Sequence, residues 1–324
     1  MKRLSWFLKI KDIFNKIIEL MNVSLKFKII ADKIKEGADK TEKLKSCIHS
    51  GNAGDIIYSL SAVKTLGAEH FIMNINNSPG FGARFLDEKT ALSLIPLLLS
   101  QPYIKRVSIV FMNNPFPPYF KTENGIFIVT PIPLEYMDGY LTEVDFILDK
   151  FRFTDTNNNH LTLSYAQAFG LSMNPAEKWL FIEDTGIDRK ISNNKQNETA
   201  ELVLAFTPRY RSKNKDFWAA VLEDFKDKCN ITAVGAKNDF GCISGITDNF
   251  ITCADFLELA EIINGADLFI GNPSMPYAVA EGLKVQRIVE VPDFPRNAYP
   301  LGEKGYIAPE SVEDAKKIIY NILR

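Results

Sequence analysis

A carboxylate placed where it could do chemistry is Asp55, at the mouth of a turn in the segment CIHSGNAGDIIYSLSAVKTL at residues 47–66. It follows Gly51, Asn52 and Gly54, where a short apolar run breaks into a turn and restarts with helical spacing at Ile56, Ile57, Leu60, Val63 and Leu66. A carboxylate there can serve a catalytic role, or it can cap the helix, as Asp often does. The local pattern leaves both open. Two glycines let the backbone come close to a ligand. The first-turn amides carry the positive end of the helix dipole, so Gly51, Asn52 and Gly54 form a candidate phosphate or acceptor loop.

Two later segments carry complementary chemistry. Arg209, Arg211, Lys213 and Lys215 cluster directly after the apolar run Leu202–Phe206, with Trp218 one turn further on. Arginine forks and lysine point charges suit a diphosphate; the alternative is a solvated basic loop. The segment Ile270–Tyr277 leaves a strand sharply at Gly271, and Asn272 or Ser274 can cap the helix that follows. The free amides of that helix would then face the cleft. Glu281, two turns on, can take a pair of ribose hydroxyls or be an ordinary surface glutamate.

The elements that must hold these residues alternate between strand and helix. Expected strands are 47–49, His70–Ile75, Val107–Phe111 and Lys178–Ile182, with helices over 55–66, 90–99 and 161–170 between them. Asn76–Gly80 and Asn113–Tyr119 read as loops, and residues 120–160 give no regular pattern. After a polar, Asn-rich linker at 184–200, a second series runs through strands 202–206, 230–234, 267–270 and 287–291. Helices at 215–228, 255–264, 274–283 and 312–323 alternate with them. The expectation is an α/β protein of two Rossmann-like domains, 46–183 and 201–324, facing each other across a cleft, with ligands at the carboxyl ends of the strands. Residues 1–45 precede them as a basic helical extension.

Composition narrows the partners. A length of 324 residues, 46% apolar and 24% charged, fits a globular protein of about two domains. Residues 1–46 hold twelve Lys/Arg against six Asp/Glu, leaving 26 basic and 34 acidic residues for the rest, so the body offers no electrostatic case for nucleic acid. The four cysteines and three histidines show no metal-ligand spacing, and no CxxC pair is present. A reducing, cytoplasmic setting is expected. No apolar run is long enough to span a bilayer, and Lys9 and Lys11 interrupt the first apolar segment too early for a signal peptide. No GxGxxG follows a strand, which argues against a nicotinamide-dependent dehydrogenase.

Three segments together resemble the family 9 glycosyltransferases, the heptosyltransferase-like group of GT-B fold. Gly54-Asp55 with IIYSLSAVKTL is similar to the family's N-terminal Gly-Asp motif. Arg209–Lys215 with Phe217-Trp218 is similar to its basic donor-phosphate segment, and CADFLELAEIINGADLFIGNPS to its signature of helix, buried strand and Gly-Asn/Asp loop. The match spans roughly residues 46–310. It implies inverting, metal-independent transfer of a sugar from a nucleotide-diphosphate sugar to a glycan or glycolipid hydroxyl in bacterial-type surface-glycan or lipopolysaccharide assembly, without a further cofactor. Asp55 is then the general base, and Arg209, Arg211, Lys213, Lys215, Asn272, Ser274, Met275 and Glu281 serve the donor. The family's Asp-Ser/Thr-Gly series and His are replaced here by Asn272-Pro273-Ser274-Met275-Pro276-Tyr277. That change favours the alternative of a catalytically silent sugar-nucleotide binding or scaffold protein; a nucleotide-sugar epimerase of the same fold is a further alternative.

Residues 4–21 place Trp6, Phe7, Ile10, Ile13, Phe14, Ile17, Ile18 and Met21 at helical spacing, with Lys9, Asp12, Lys16 and Glu19 opposite. Such a helix can lie peripherally at the inner membrane face; its acidic residues favour packing on the protein or a second copy. If it tethers, deleting residues 1–22 will release the protein from anionic vesicles in a sedimentation assay. Unchanged binding would exclude a tether.

Overall fold

The structure is a computed structural model and describes residues 27–75, 86–112, 119–122, 125–128, 144–183 and 199–324. The amphipathic segment 4–21, the loop 76–80, most of the proline-rich stretch and the linker 184–198 lie outside these residues. The first sheet has the order β1 (Phe27–Ile34), β4 (Arg106–Met112), β3 (His70–Ile75), β2 (Ser46–His49), β7 (Phe146–Ile147). All its pairings are parallel except β1 with β4. A separate antiparallel pair, β5 (Tyr119–Thr122) and β6 (Gly125–Ile128), falls in the stretch where the sequence shows no pattern. The second sheet is parallel throughout: β10 (Phe250–Ile251), β9 (Cys229–Val234), β8 (Ala200–Ala205), β11 (Leu268–Gly271), β12 (Arg287–Val289), β13 (Gly305–Ile307).

Helices connect the strands at the expected places, and their ends follow capping chemistry. In α1 (Ala53–Leu66) the Asn52 side chain accepts from the Asp55 amide, and Gly67 closes the helix in the left-handed region at φ 65°. Asp87 caps α2 (Glu88–Ser100) through the Thr90 amide. Next comes α3 (Leu161–Phe169), ended by left-handed Gly170. The second half contributes α4 (Lys215–Leu222), α5 (Phe256–Asn264), α6 (Met275–Leu283) and α7 (Val312–Ile322). The expected helix 215–228 stops at Leu222 and tightens into a 3₁₀ turn over Glu223–Phe225.

Residue alternation sorts the core of the second sheet. Leu202, Leu204, Leu268 and Ile270 face one way, onto Trp218, Phe225 and Ile319. Val203, Ala205 and Phe269 face the other way and join a cluster that continues into the first half, through Tyr277, Trp179, Ile57 and Phe71. One apolar interior therefore spans both sheets.

Two expectations are corrected. Residues 22–45 read as helical, but 27–34 form β1 and belong to the first sheet. Asp32 is held there by Arg106 (Nε to Oδ1 2.8 Å, Nη2 to Oδ2 2.5 Å) and Ser108 (2.9 Å), and an edge strand tolerates the lysines. Lys178–Ile182 is not a strand. Its Trp179 and Leu180 amides both donate to the Gly282 carbonyl at 3.1 Å, and the Trp179 indole donates to Ile57 O at 3.1 Å. The segment is wedged between helices, so its amides pair with α6 rather than with a neighbouring strand.

His49, His70 and His160 are all buried, and burial pushes each below the ordinary value of 6.5, His70 to about 4. The unfolded chain takes up protons that the native histidines refuse. Stability is thus fully present above pH 6.5 and falls as the pH drops from about 6.5 towards 4. The midpoint of urea unfolding measured across that window is expected to decline, and a His70→Gln variant is expected to decline less steeply.

Candidate functional site

The turn before α1 is built around buried polar groups. Asp149, on the 3₁₀ turn Leu148–Phe153 after β7, accepts from the Ser50 amide (2.9 Å) and hydroxyl (2.7 Å). The Gly51 amide donates to His49 Nδ1 at 2.7 Å, and His49 Nε2 lies 2.5 Å from the Tyr165 hydroxyl, which donates to the Asp55 carbonyl at 3.1 Å. A Cβ on Gly51 would stand 2.3 Å from His49 Cε1 and 2.9 Å from Asp55 Cβ, so only glycine fits. Burial pushes Asp149 up, but neighbouring His49 and Arg152 and the hydrogen bonds from Ser50 together outweigh it and hold its carboxyl below the usual range.

Asn52, not Asp55, caps α1, which removes the bland role open to Asp55. The Asp55 carboxylate instead meets Arg152, Nη2 to Oδ2 at 3.3 Å, and Arg152 also reaches Asp149 at 3.3 Å. The Asp55 side chain keeps 18% of its surface exposed, enough to receive a proton from a bound molecule.

Across from it stands the start of α6. The Cβ position of Gly54 lies 3.9 Å from Met275 Cα, so the first turns of α1 and α6 abut. The Ser274 hydroxyl donates back to Asn272 O at 2.9 Å and caps no amide. Pro276 has no amide to satisfy in that first turn.

Asn272 is fully buried. Its oxygen accepts from the Thr207 amide at 3.0 Å, and its nitrogen donates to Thr207 O at 3.1 Å and to Arg209 O. The side chain thus fastens the loop after β8. Arg209 and Lys215 are exposed. Arg211 packs over the Phe206 ring at 4.5 Å with its Nε 2.5 Å from Glu290 Oε1, and Lys213 lies 2.5 Å from Glu310. The four cations are thus unequal: two face solvent and two meet carboxylates of the protein. Glu290, Arg152 and Asp149 are absent from the sequence reading because none lies in a motif. The one available signal for Glu290 is a carboxylate at the end of an apolar strand.

Glu281 is not the ordinary surface glutamate that one reading of the sequence made it. It is fully buried, with Lys284 Nζ and Arg287 Nε each at 2.5 Å and the Tyr277 hydroxyl at 3.2 Å. Burial lowers Lys284 to about 8 against the pull of Glu281. The unbonded Tyr58 hydroxyl and the His160 ring, 5.3 Å from the Tyr58 ring, lie in the same buried zone between the halves. Among the described residues no three His, Cys, Asp or Glu side chains gather into a metal-binding group. Glu281→Ala leaves two buried cations unpaired and is expected to lower unfolding stability by roughly 3–5 kcal/mol in urea denaturation. A ribose ligand at the surface would give a near-neutral change.

No protein-family model and no curated protein matches the sequence. Solved structures do match in shape. A family 9 glycosyltransferase from Veillonella parvula superposes with a TM-score of 0.55 at 13% identity, covering 89% of this chain and 91% of that one. The Escherichia coli ADP-heptose lipopolysaccharide heptosyltransferase II gives 0.50 at 10% identity, covering 87% and 98%. An E. coli heptosyltransferase solved with ADP gives 0.50 at 10% identity, covering 85% and 98%. A largely parallel sheet and a wholly parallel one, with α1 and α6 abutting between them, thus give this chain a fold like that of the family 9 glycosyltransferases.

Proposed function

We propose that the protein is an inverting glycosyltransferase of family 9. It would move a sugar from a nucleotide-diphosphate sugar to a hydroxyl of a glycan or glycolipid in bacterial-type surface-glycan or lipopolysaccharide assembly. The observation that carries this reading is Asp55: a partly exposed carboxylate, released from capping by Asn52, where the first turn of α1 abuts that of α6. The similar structures include ADP-heptose enzymes, which makes an ADP-sugar the first donor to test.

In this reading Asp55 removes the acceptor proton as the hydroxyl oxygen attacks the anomeric carbon. The bond from that carbon to the diphosphate breaks, and the nucleoside diphosphate departs with the bonding electrons. Arg152 fixes the orientation of Asp55 without blocking its exposed edge. The cationic loop and the uncapped first turn of α6 receive the charge that develops on the leaving group. Closure over both substrates excludes water and limits donor hydrolysis.

A second reading, a sugar-nucleotide binding or scaffold protein without turnover, is favoured by the pairing of Arg211 and Lys213 with Glu290 and Glu310. Arg211 is thereby balanced inside the protein, while Lys213 meets an exposed carboxylate. Among the described residues no helix is long and apolar enough to cross a membrane.

Thermal-shift screening against ADP-, UDP-, GDP- and CMP-sugars is expected to identify the donor, because a ligand that binds the native form raises its melting point. With that donor, Asp55→Asn is expected to abolish transfer and leave donor affinity within about twofold, since the base acts in the transition state rather than in donor binding. Wild-type turnover by Asp55→Asn would remove Asp55 from the mechanism. Donor binding with neither transfer nor hydrolysis would favour the silent reading.

A further inference from the structure

We propose that Glu290 is a positioning residue for the cationic loop: a fixed internal counter-anion that shapes Thr207–Lys215 and leaves Arg209 and Lys215 as the cations that reach a diphosphate. The inference rests on reading that loop as the diphosphate receptor.

Glu290 stands just past the end of β12 and is fully buried. Its own amide ties it to the sheet by donating to Gly271 O at 2.9 Å. Every side-chain partner, by contrast, comes from the loop. Oε2 accepts from the Ser212 amide at 3.2 Å and the Lys213 amide at 2.7 Å, and Oε1 lies 2.5 Å from Arg211 Nε. Two successive amides and a guanidinium around one oxygen pair form the kind of concavity that proteins use to hold anions. Here the anion is the protein's own carboxylate.

Asn272 provides the other fastening, holding Thr207 and the Arg209 carbonyl from the neighbouring strand end. Between the two anchors the chain reverses at Tyr210, a non-glycine residue in the left-handed region at φ 58°. That conformation is costly for such a side chain and persists where the surroundings dictate it. The loop is therefore set by two buried side chains from the second sheet.

This arrangement divides the cations by role. Arg211 is balanced by Glu290 and packed on Phe206, which makes it part of the frame. Lys213 meets Glu310, whose side chain is 95% exposed, a pairing of little energetic weight in water. Arg209 and Lys215 project into solvent from the framed loop. An amide at position 290 could still accept from backbone N–H groups but could not balance Arg211.

The test uses the full chain, inorganic pyrophosphate as the probe by calorimetry, and hydrogen exchange over residues 207–215. Glu290→Gln is expected to weaken pyrophosphate binding at least tenfold and to speed exchange in that segment. Arg211→Met should do the same, and the double variant should be little worse than either alone, because both remove one pairing. Arg209→Ala and Lys215→Ala should weaken binding while leaving exchange unchanged. If Glu290→Gln does not fold, Arg211→Met tests the pair from its other side. Wild-type exchange in Glu290→Gln, or strictly additive losses in the double variant, would overturn the proposal. So would wild-type pyrophosphate affinity in Glu290→Gln when Arg209→Ala has lost it. Undiminished affinity in both Arg209→Ala and Lys215→Ala would instead sink the diphosphate reading of the loop, and the exchange arm would still decide whether Glu290 orders it.

Discussion

The meeting of α1 with α6 is the contact on which the arrangement of the site depends. Gly282 makes it possible: a Cβ there would stand 2.8 Å from both the Trp179 indole nitrogen and a Leu180 methyl. With no side chain in the way, the 179–180 backbone lies on α6 and the indole bonds the α1 carbonyl at Ile57. The two helices are thereby locked about one turn into α1 and two turns into α6, and Gly54 and Met275 come together at the top. The position of Asp55 relative to the second sheet is thus a packing result, decided well away from the carboxylate.

The polar groups beneath that contact make a second demand. Glu281, Lys284 and Arg287 are charged and buried together, a grouping that apolar side chains of equal volume could often replace without loss. Its partners suggest what the charges contribute. Lys284 ends α6 in the left-handed region at φ 56° and lies over the Trp179 ring at 4.4 Å, while Arg287 opens β12 and bonds Leu301 O. The cluster ties the end of one helix, the start of one strand and the interlobe tryptophan to a single carboxylate, which defines their relative geometry more sharply than apolar packing would.

Much of this was legible in the chain. The period-two and helical patterns locate both βα series, because buried parallel strands and capped helices leave strong local signals such as HFIMNI and Asp255-Phe256-Leu257-Glu258. Lys-rich 27–34 misleads because an edge strand needs only part of its surface apolar. KWLFI misleads because wedging between helices demands the same residue types as a strand. The site is legible where chemistry is local: Gly51, Asn52, Gly54 and Asp55 stand together in sequence and in space. It is illegible where side chains distant in the chain are brought together, as with Glu290 and residues 211–213, or Arg152 and Asp55. Glu281 shows the converse, a residue of suggestive type and position whose neighbours in space turn it into framework.

The apolar interior runs without a break from Phe71 and Ile57 through Trp179 to Tyr277 and Phe269. Two lobes that share an interior cannot swing wide apart without wetting it, so their relative movement must be a small slide of helix on helix, with the indole as bearing. For the same reason, cutting the covalent connection between the halves would leave a nicked protein whose pieces stay associated. The lobes are separate in topology and inseparable in solvation.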